Sequence, residues 1–499
     1  MKTETLRVRY TARKSTIIVR AAQPDADALQ SLIFRRYPSE EWATFATFGW
    51  LETPAGLVLT LAGLDPPSPG DLDETASHVV LNEPYTLRTA LKAERQRLAV
   101  GVIHSHPEGC ETTASPLDDD MDCYYSGYFS GFAPDRPYIS LIFARSHDGA
   151  VLSATGRVFW KGEWHRVSRF LVQGQHVMLT GYDPPPSRRN AAARAQVARL
   201  ESAFGEEAAE RLDQATVAVI GASGTGSPVI EALARAGVGH LIVVDPDVFN
   251  PANLERLHGS WHSDIGKVIS KVAIAKRHVR QINPACRVTA IRGALPQKEV
   301  VDALCMADIV IGCTDQQHSR VALNDLALRY LVPVLDCGVE MEGEAGLVTG
   351  QIIQILRLFP ADACVYCREM VVQWKLDQEL MSEKERTVRR AAAQEAEAQG
   401  RRGDAYWRDI AQMNTVGYLT TTAGGMIAGY AIGYVTARFA TPFSRLQMNL
   451  SAPFLDVTDD PIEPLISCAC RRMRGTSDQG MADELITAPS HWRPAEMIL

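Results

Sequence analysis

The sequence predicts an α/β protein of two units: a smaller mixed α/β unit, then a doubly wound unit on a parallel sheet. Three observations carry this. From Val217 onward, short apolar strand-like runs alternate with helix-period segments, beginning with the run at 217–221, as a parallel sheet requires. Ahead of it, strand-like runs at 56–61 and 98–103 flank a helical pattern at 85–96. Between these regions, the stretch Tyr182-Asp-Pro-Pro-Pro-Ser187 breaks regular structure and sets a boundary near residue 185. The expected division is a first unit over 1–180, a linker and lead-in helix over 181–200, and a second unit over 201–499.

The totals narrow the function classes. With 499 residues, 46% hydrophobic and 22% charged, the chain can bury several cores. A net charge of −8 without a dense basic tract argues against a nucleic-acid partner. The polar N-terminus is unlike a secretory signal, and the 10 cysteines are thinly spread, which points to reduced thiols and a cytoplasmic protein. Thr415 to Ala437 is uncharged but rich in Thr, Gly and Ala. It reads as a buried helix, such as one at a subunit interface, rather than a membrane span, with Gly425, Gly429 and Gly433 lining one face for close helix approach.

In the first unit, the strand ending at Ile103 runs into His104-Ser-His106-Pro107. Residues two apart on a strand point the same way, so both imidazoles can face one ion. Ser115-Pro-Leu-Asp118 opens a helix after a short loop and can add a carboxylate. Two histidines and a carboxylate leave a fourth zinc position open, the catalytic rather than the structural arrangement. Asp119, Asp120 and Asp122 read as a solvated acidic face. The pattern H-x-H-P followed by S-x-x-D resembles the JAB/MPN (JAMM) metalloprotease family over about residues 30–165. That resemblance implies Zn2+ on His104, His106 and Asp118, an oxyanion stabilised by Ser115, and an upstream glutamate as base, Glu41 in preference to Glu40.

In the second unit, Gly221, Gly224 and Gly226 follow the first strand at once and precede a helical run, giving a strand, a phosphate loop and a helix. Ser223 stands where a dinucleotide fingerprint has its second glycine, which weighs against a dehydrogenase. The next strand, Leu241 to Val244, ends in Asp245, suited to ribose hydroxyls. Asp247, Asn253, Arg256, Lys267, Lys271 and the triplet Cys313-Thr-Asp315 then supply cations and carboxylates. Such groups suit phosphate chemistry, not hydride transfer. From about Arg194 to the C-terminus this combination resembles the ThiF/MoeB/ubiquitin-activating superfamily of adenylating enzymes, and so a Rossmann-like fold.

The resemblance implies ATP and Mg2+ as cofactors and transfer of AMP to the C-terminal glycine carboxylate of a ubiquitin-like or sulfur-carrier protein. It implies ribose on Asp245, phosphates on Asn253, Arg256 and a lysine, magnesium on Asp315, and Arg194 reaching across a homodimer interface. The family's lysine lies three residues after the glycine matching Gly266, where Ile269 stands here. Lys267 and Lys271, expected on one helix face at i, i+4, are the candidates, and Lys271 is favoured.

Further on, Cys364-x-x-Cys367 and Cys468-x-Cys470 offer four thiolates in two close pairs, read as the structural zinc site the family often carries. Residues 371–411 are charged and helical, either a solvated helix or a segment crossing over the carrier's tail. No cysteine lies between Cys367 and Cys468, and Cys313 and Cys337 read as core. The acyl-adenylate is therefore expected to pass directly to a conjugating protein or sulfur donor. Taken together, the residues suggest a bifunctional enzyme of a bacterial-type ubiquitin-like modification system, cutting after the carrier's glycine and adenylating it. Sulfur-carrier activation for biosynthesis and a non-catalytic carrier-binding scaffold are the alternatives.

Overall fold

The computed structural model describes the chain apart from residues 1–7, 12–14, 75–78, 110, 146–151, 181–186, 188–189, 345, 411–414, 453, 459–463, 480–485 and 499. The predicted Pro-rich boundary at 182–187 falls mostly outside the described residues.

The first unit contains β1 (Thr16–Ala22), α1 (Gln23–Ile33), β2 (Trp42–Thr53), β3 (Gly56–Asp65), β4 (Leu72–Glu74), β5 (Val79–Leu81), α2 (Glu83–Gln96), β6 (Ala99–Ser105) and α3 (Pro116–Phe132). It continues through β7 (Tyr138–Arg145), β8 (Leu152–Trp160), β9 (Glu163–Arg166), β10 (Arg169–Gln173) and β11 (Val177–Thr180). Its sheet has the order β11-β10-β1-β3-β2-β6-β7-β8-β9, with β4 and β5 paired apart from it.

The second unit opens with α4 (Ala191–Phe204) and α5 (Glu206–Gln214), then β12 (Thr216–Ile220), α6 (Gly226–Arg235), β13 (His240–Val244), α7 (Lys271–Ile282) and β14 (Arg287–Arg292). Next come α8 (Lys298–Leu304), β15 (Ile309–Gly312), α9 (Gln317–Arg329), β16 (Val334–Glu344) and β17 (Leu347–Leu358). The chain closes with α10 (Gln373–Leu380), α11 (Glu383–Ala398), α12 (Gly417–Thr436), β18 (Arg445–Asn449), β19 (Phe454–Thr458) and β20 (Glu496–Ile498). Strands β14, β13, β12, β15 and β16 are parallel neighbours, as their apolar runs require; β17, β18 and β19 extend one edge antiparallel and β20 the other.

The two units are not separate in the core. Ile18, Leu171 and Val177 of the first sheet share one buried cluster with Val217, Val219 and the α12 residues Ala423, Ile427 and Ala431. Arg20 of β1 is wholly buried and donates to the carbonyls of Cys305 and Ala307, each at 2.7 Å. Arg169 of β10 lies 2.6 Å from Asp308, and Thr60 donates to the Gly475 carbonyl at 2.7 Å. A buried guanidinium loses its hydration on both sides, so these bonds are costly to break and hold the units in one fixed relation.

Two expectations are corrected. Lys267 and Lys271 do not share a helix: Ser270 caps α7, accepting from the Ala273 amide at 3.3 Å, so the helix begins at Lys271 and Lys267 precedes it in a loop. Nor do the three α12 glycines form one contact face within the single chain. A Cβ at Gly425 or Gly429 would meet nothing within 4 Å, and one at Gly433 would strike Phe439. The close approach to α6 is made at Gly424, where a Cβ would lie 2.7 Å from Pro228. Among the described residues, no helix is long and apolar enough to cross a membrane.

Candidate active sites and a cysteine cluster

The connections leaving β12 and β15 diverge to opposite sides, and beyond the carboxyl ends of such strands an open parallel sheet forms its ligand crevice. Gly221 after β12, Asp245 after β13 and Cys313 after β15 all arrive there. Gly221 has φ +90°, and a Cβ on it would stand 2.5 Å from the Cys313 carbonyl oxygen, so the Cys313-Thr-Asp315 loop rides directly against the glycine turn. A Cβ at Gly226 would lie 1.7 Å from the Gly221 oxygen, which only glycine permits. No side chain caps the start of α6, and its dipole faces the crevice. Arg256 crosses the loop, its Cδ 3.2 Å from where a Gly224 Cβ would stand, and it donates to the Thr415 carbonyl at 2.7 Å.

Asp245 is buried and accepts from the amides of Ala222 at 2.8 Å and Asp247 at 2.9 Å. Burial pushes its carboxyl upward, while Lys271 and these amides pull it down. The Lys271 ammonium lies 2.7 Å from Asp247 and 3.9 Å from Asp245, whereas Lys267 is exposed on its loop. Asn253 accepts from the Asn250 amide at 2.9 Å within a short 3-10 turn. Asp315 is exposed beside the glycine turn. One open carboxylate next to a phosphate cradle fits magnesium, which binds through one or two carboxylates plus phosphates. Arg194 is exposed on α4, which bonds through Gln196 to the carbonyls of Ala234 and Arg235 at the far end of α6. Within one chain it does not join the crevice.

The second centre is local. β6 pairs antiparallel with β2, placing His104 opposite Ala43, and so brings Glu41, just ahead of β2, to the same end as the two histidines. Ser115 caps α3, accepting from the Asp118 amide at 3.2 Å, while Asp118 accepts from the Ser115 amide at 2.6 Å. This reciprocal cap aims Asp118 at the imidazoles, and the Ser115 side chain bonds back to the same carboxylate. His104 Nε2 is buried 3.3 Å from an Asp118 oxygen, without hydrogen-bond geometry, and His106 Nε2 lies 3.9 Å from the other. His106 Nδ1 is bonded to the Glu111 carbonyl at 2.5 Å, which turns its Nε2 inward. The ligand atoms of His104, His106 and Asp118 all lie within 4.8 Å of one another, a spacing that fits zinc with Zn–N and Zn–O near 2.0–2.2 Å. Glu41 lines the same small cavity as His104 and Asp118. Burial disfavours the His104 cation, but Asp118 overrides it and raises the pKa; Asp118 is lowered in turn, against its own burial.

The acidic stretch after Asp118 is not a solvated face throughout. Asp122 is 3% exposed, accepts from the Tyr138 hydroxyl at 2.7 Å, and pairs with Arg157, which also holds Asp119. Burial of the inward face of α3 forces this pairing. Sequence reasoning missed Arg157 and Tyr138, which belong to distant strands and carry no local motif. It missed Thr420 as well, whose side chain closes on Gly224 from α12.

The four predicted cysteines converge. Cys364 and Cys468 sulfurs lie 3.6 Å apart, and those of Cys367 and Cys470 3.8 Å apart. Four sulfurs at about 2.3 Å from a tetrahedral zinc stand about 3.8 Å from one another, so the cluster fits. Burial raises the thiols of Cys313 and Cys337, which suits core residues rather than nucleophiles.

Comparison with known proteins adds four findings. The ThiF family pattern matches residues 195–465. Over 142 residues the chain is 33% identical to the SAMP-activating enzyme E1 of Haloferax volcanii, covering 28% of this chain and 52% of that protein. It is 35% identical over 131 residues to the sulfur carrier protein adenylyltransferase of Thermus thermophilus, covering 26% and 48%. It is also 41% identical over 141 residues to the tRNA threonylcarbamoyladenosine dehydratase of Bacillus subtilis, covering 28% and 55%. The chain thus spans about half the length of these relatives.

Proposed function

This chain belongs to the ThiF family, and from that premise we propose that its crevice adenylates the C-terminal glycine carboxylate of a ubiquitin-like or sulfur-carrier protein. The observation that carries the reading is the convergence of the glycine turn, Arg256, Lys271, Asp245 and Asp315 at the sheet's carboxyl end. Asp245 receives the ribose. Arg256 and Lys271 leave their present partners, the Thr415 carbonyl and Asp247, for phosphate oxygens. Asn253 steadies the same phosphates, and Arg194 of a second copy completes the cation set. Asp315 would hold magnesium, which when bound would offset negative charge on the phosphates.

The first unit cuts after the same glycine, as an (iso)peptidase. His104, His106 and Asp118 would hold zinc, which when bound would supply a water acidic enough to attack near neutral pH. Glu41 would accept a proton and return it to the departing amine, and the Ser115 hydroxyl would turn to donate to the oxyanion. The support is geometric: three convergent ligands, an acid in the same cavity and a serine hydroxyl beside Asp118 at the start of α3. Names among the relatives favour a second purpose for the adenylate, sulfur-carrier activation with passage to a sulfur donor instead of a conjugating protein.

The test is ATP–pyrophosphate exchange with glycine-ended carrier proteins, alongside cleavage of a carrier fused to a peptide beyond its glycine. Asp315→Ala is expected to cut exchange about a hundredfold while sparing cleavage. Chelation of zinc stops cleavage. Exchange indifferent to the carrier would sink the first assignment, and cleavage surviving in His104→Ala the second. Adding sulfide or a conjugating protein separates the two purposes.

A further inference from the structure

The segment 371–411 is the motif that local sequence patterning leaves undecided between a solvated helix and a functional crossover, and its contacts decide what it does. The helix α9 begins two residues after Asp315, and its N-cap, Gln316, makes no side-chain capping bond. The cap comes instead from α10. One oxygen of Glu379 accepts from the Gln317 amide at 3.0 Å; the other accepts from the His318 amide at 2.9 Å and faces His318 Nδ1 at 2.8 Å. A reciprocal bond runs from the Val372 amide to the Gln317 side-chain oxygen at 3.0 Å, fixing the register of the two segments. Arg386 of α11 donates to the Glu379 carbonyl at 2.9 Å, and the Trp492 ring packs on His318 at 5.1 Å.

We infer that Glu379 is the positioning residue for Asp315, so that the crossover segment sets the metal affinity of the nucleotide crevice. This rests on the adenylation reading, in which Asp315 is the metal carboxylate. The first amides of α9 form a positive helix end that its own N-cap leaves unsatisfied, and Asp315, one residue before that N-cap, is the nearest carboxylate in sequence to such donors. Glu379 occupies them. With those amides satisfied by a side chain some sixty positions away, Asp315 has no local partner to turn toward and stays open at the glycine turn. Removing Glu379 converts Asp315 from a metal ligand into a helix cap. Farther along α9, Arg320 bonds Asp336 at 3.1 Å and Asn324 accepts from the Val365 amide at 3.0 Å, so the rest of the helix stays anchored when its first turn is released.

The experiment compares the full-length parent with Glu379→Ala and Glu379→Gln. Two readouts are used: Mn2+ binding in the presence of a non-hydrolysable ATP analogue, followed by electron paramagnetic resonance, and the Mg2+ concentration giving half-maximal pyrophosphate exchange. The expected result is a weakening of both by about tenfold in Glu379→Ala, comparable to losing an outer-shell partner of a metal ligand. Excess Mg2+ restores the exchange rate. Glu379→Gln, which keeps an acceptor oxygen, falls between parent and Glu379→Ala. Should Glu379→Ala fail to fold, the glutamine variant still carries the test through its partial shift. Unchanged Mn2+ binding in a folded variant overturns the inference. A parent that binds Mn2+ with the nucleotide but never exchanges pyrophosphate overturns the proposed reaction alone, and a Glu379-dependent binding shift in that protein still supports the positioning role.

Discussion

The imidazole centre draws its three candidate ligands from residues 104–118, whereas the nucleotide crevice gathers its groups from Gly221 to Thr420. The first is set by one strand end and one reciprocally capped helix, and a buried ion pair pins that helix from behind. The second spends its cations on internal partners: Lys271 on Asp247, Arg256 on the Thr415 carbonyl. A compact site with a buried brace has its candidate ligands in place in the chain as it stands. A dispersed site whose cations are paired internally must exchange those partners for any ligand it takes. Damage to the brace should therefore register as stability, and damage in the crevice as affinity and rate.

The largest effect is expected from Arg157→Met. Asp122 would be left buried without its cation, costing about 3–5 kcal/mol in denaturant unfolding. A loss near zero would mean that α3 does not depend on the pair and that the contrast fails. Next comes zinc itself. Saturating zinc should stabilise the parent by about 2.7 kcal/mol at a hundredfold excess over Kd, and His104→Ala should remove that gain while the cysteine site keeps its metal. Elemental analysis counts the ions, and an unchanged count in His104→Ala breaks the assignment.

A smaller effect separates the crevice wall from its floor. Gly425→Ala places its methyl in open space on α12 and should add about 0.5–1 kcal/mol of stability without altering nucleotide binding. Smallest is a pH effect on α6, whose N-terminus is the phosphate cradle. Burial favours the neutral form of Glu231, but hydrogen bonds from His278, His258 and Arg235 bring its pKa from 4.5 down to about 2. A depressed carboxylate stabilises the fold fully above its unfolded pKa, near 4.5, and loses that contribution as pH falls toward about 2. The stability gap between parent and Glu231→Gln should shrink steadily over that window. A constant gap from pH 6 to pH 3 would count against the linkage.

Much of the two sites is legible in local patterning, because each motif residue sits at a strand end or helix start that its own neighbours dictate. The spacing of His104, His106 and Asp118 brings three candidate ligand atoms together through strand alternation and a helix cap. Gly221 and Gly226 encode a turn that no other residue can make. The lysine pair is misread because Ser270 caps the helix between them, a competition that i, i+4 spacing alone does not weigh.

Sequence alone therefore picked out the groups proposed to hold ions and phosphates, since their candidacy follows from short-range geometry and residue chemistry. Tertiary structure alone decided which distant groups support them: Arg157 under Asp122, Arg20 between the two units, Glu379 on the start of α9. The reason is physical. A buried charge or an uncapped helix end demands a partner, but any residue that the fold brings within reach can meet the demand, so nothing in the local pattern names it.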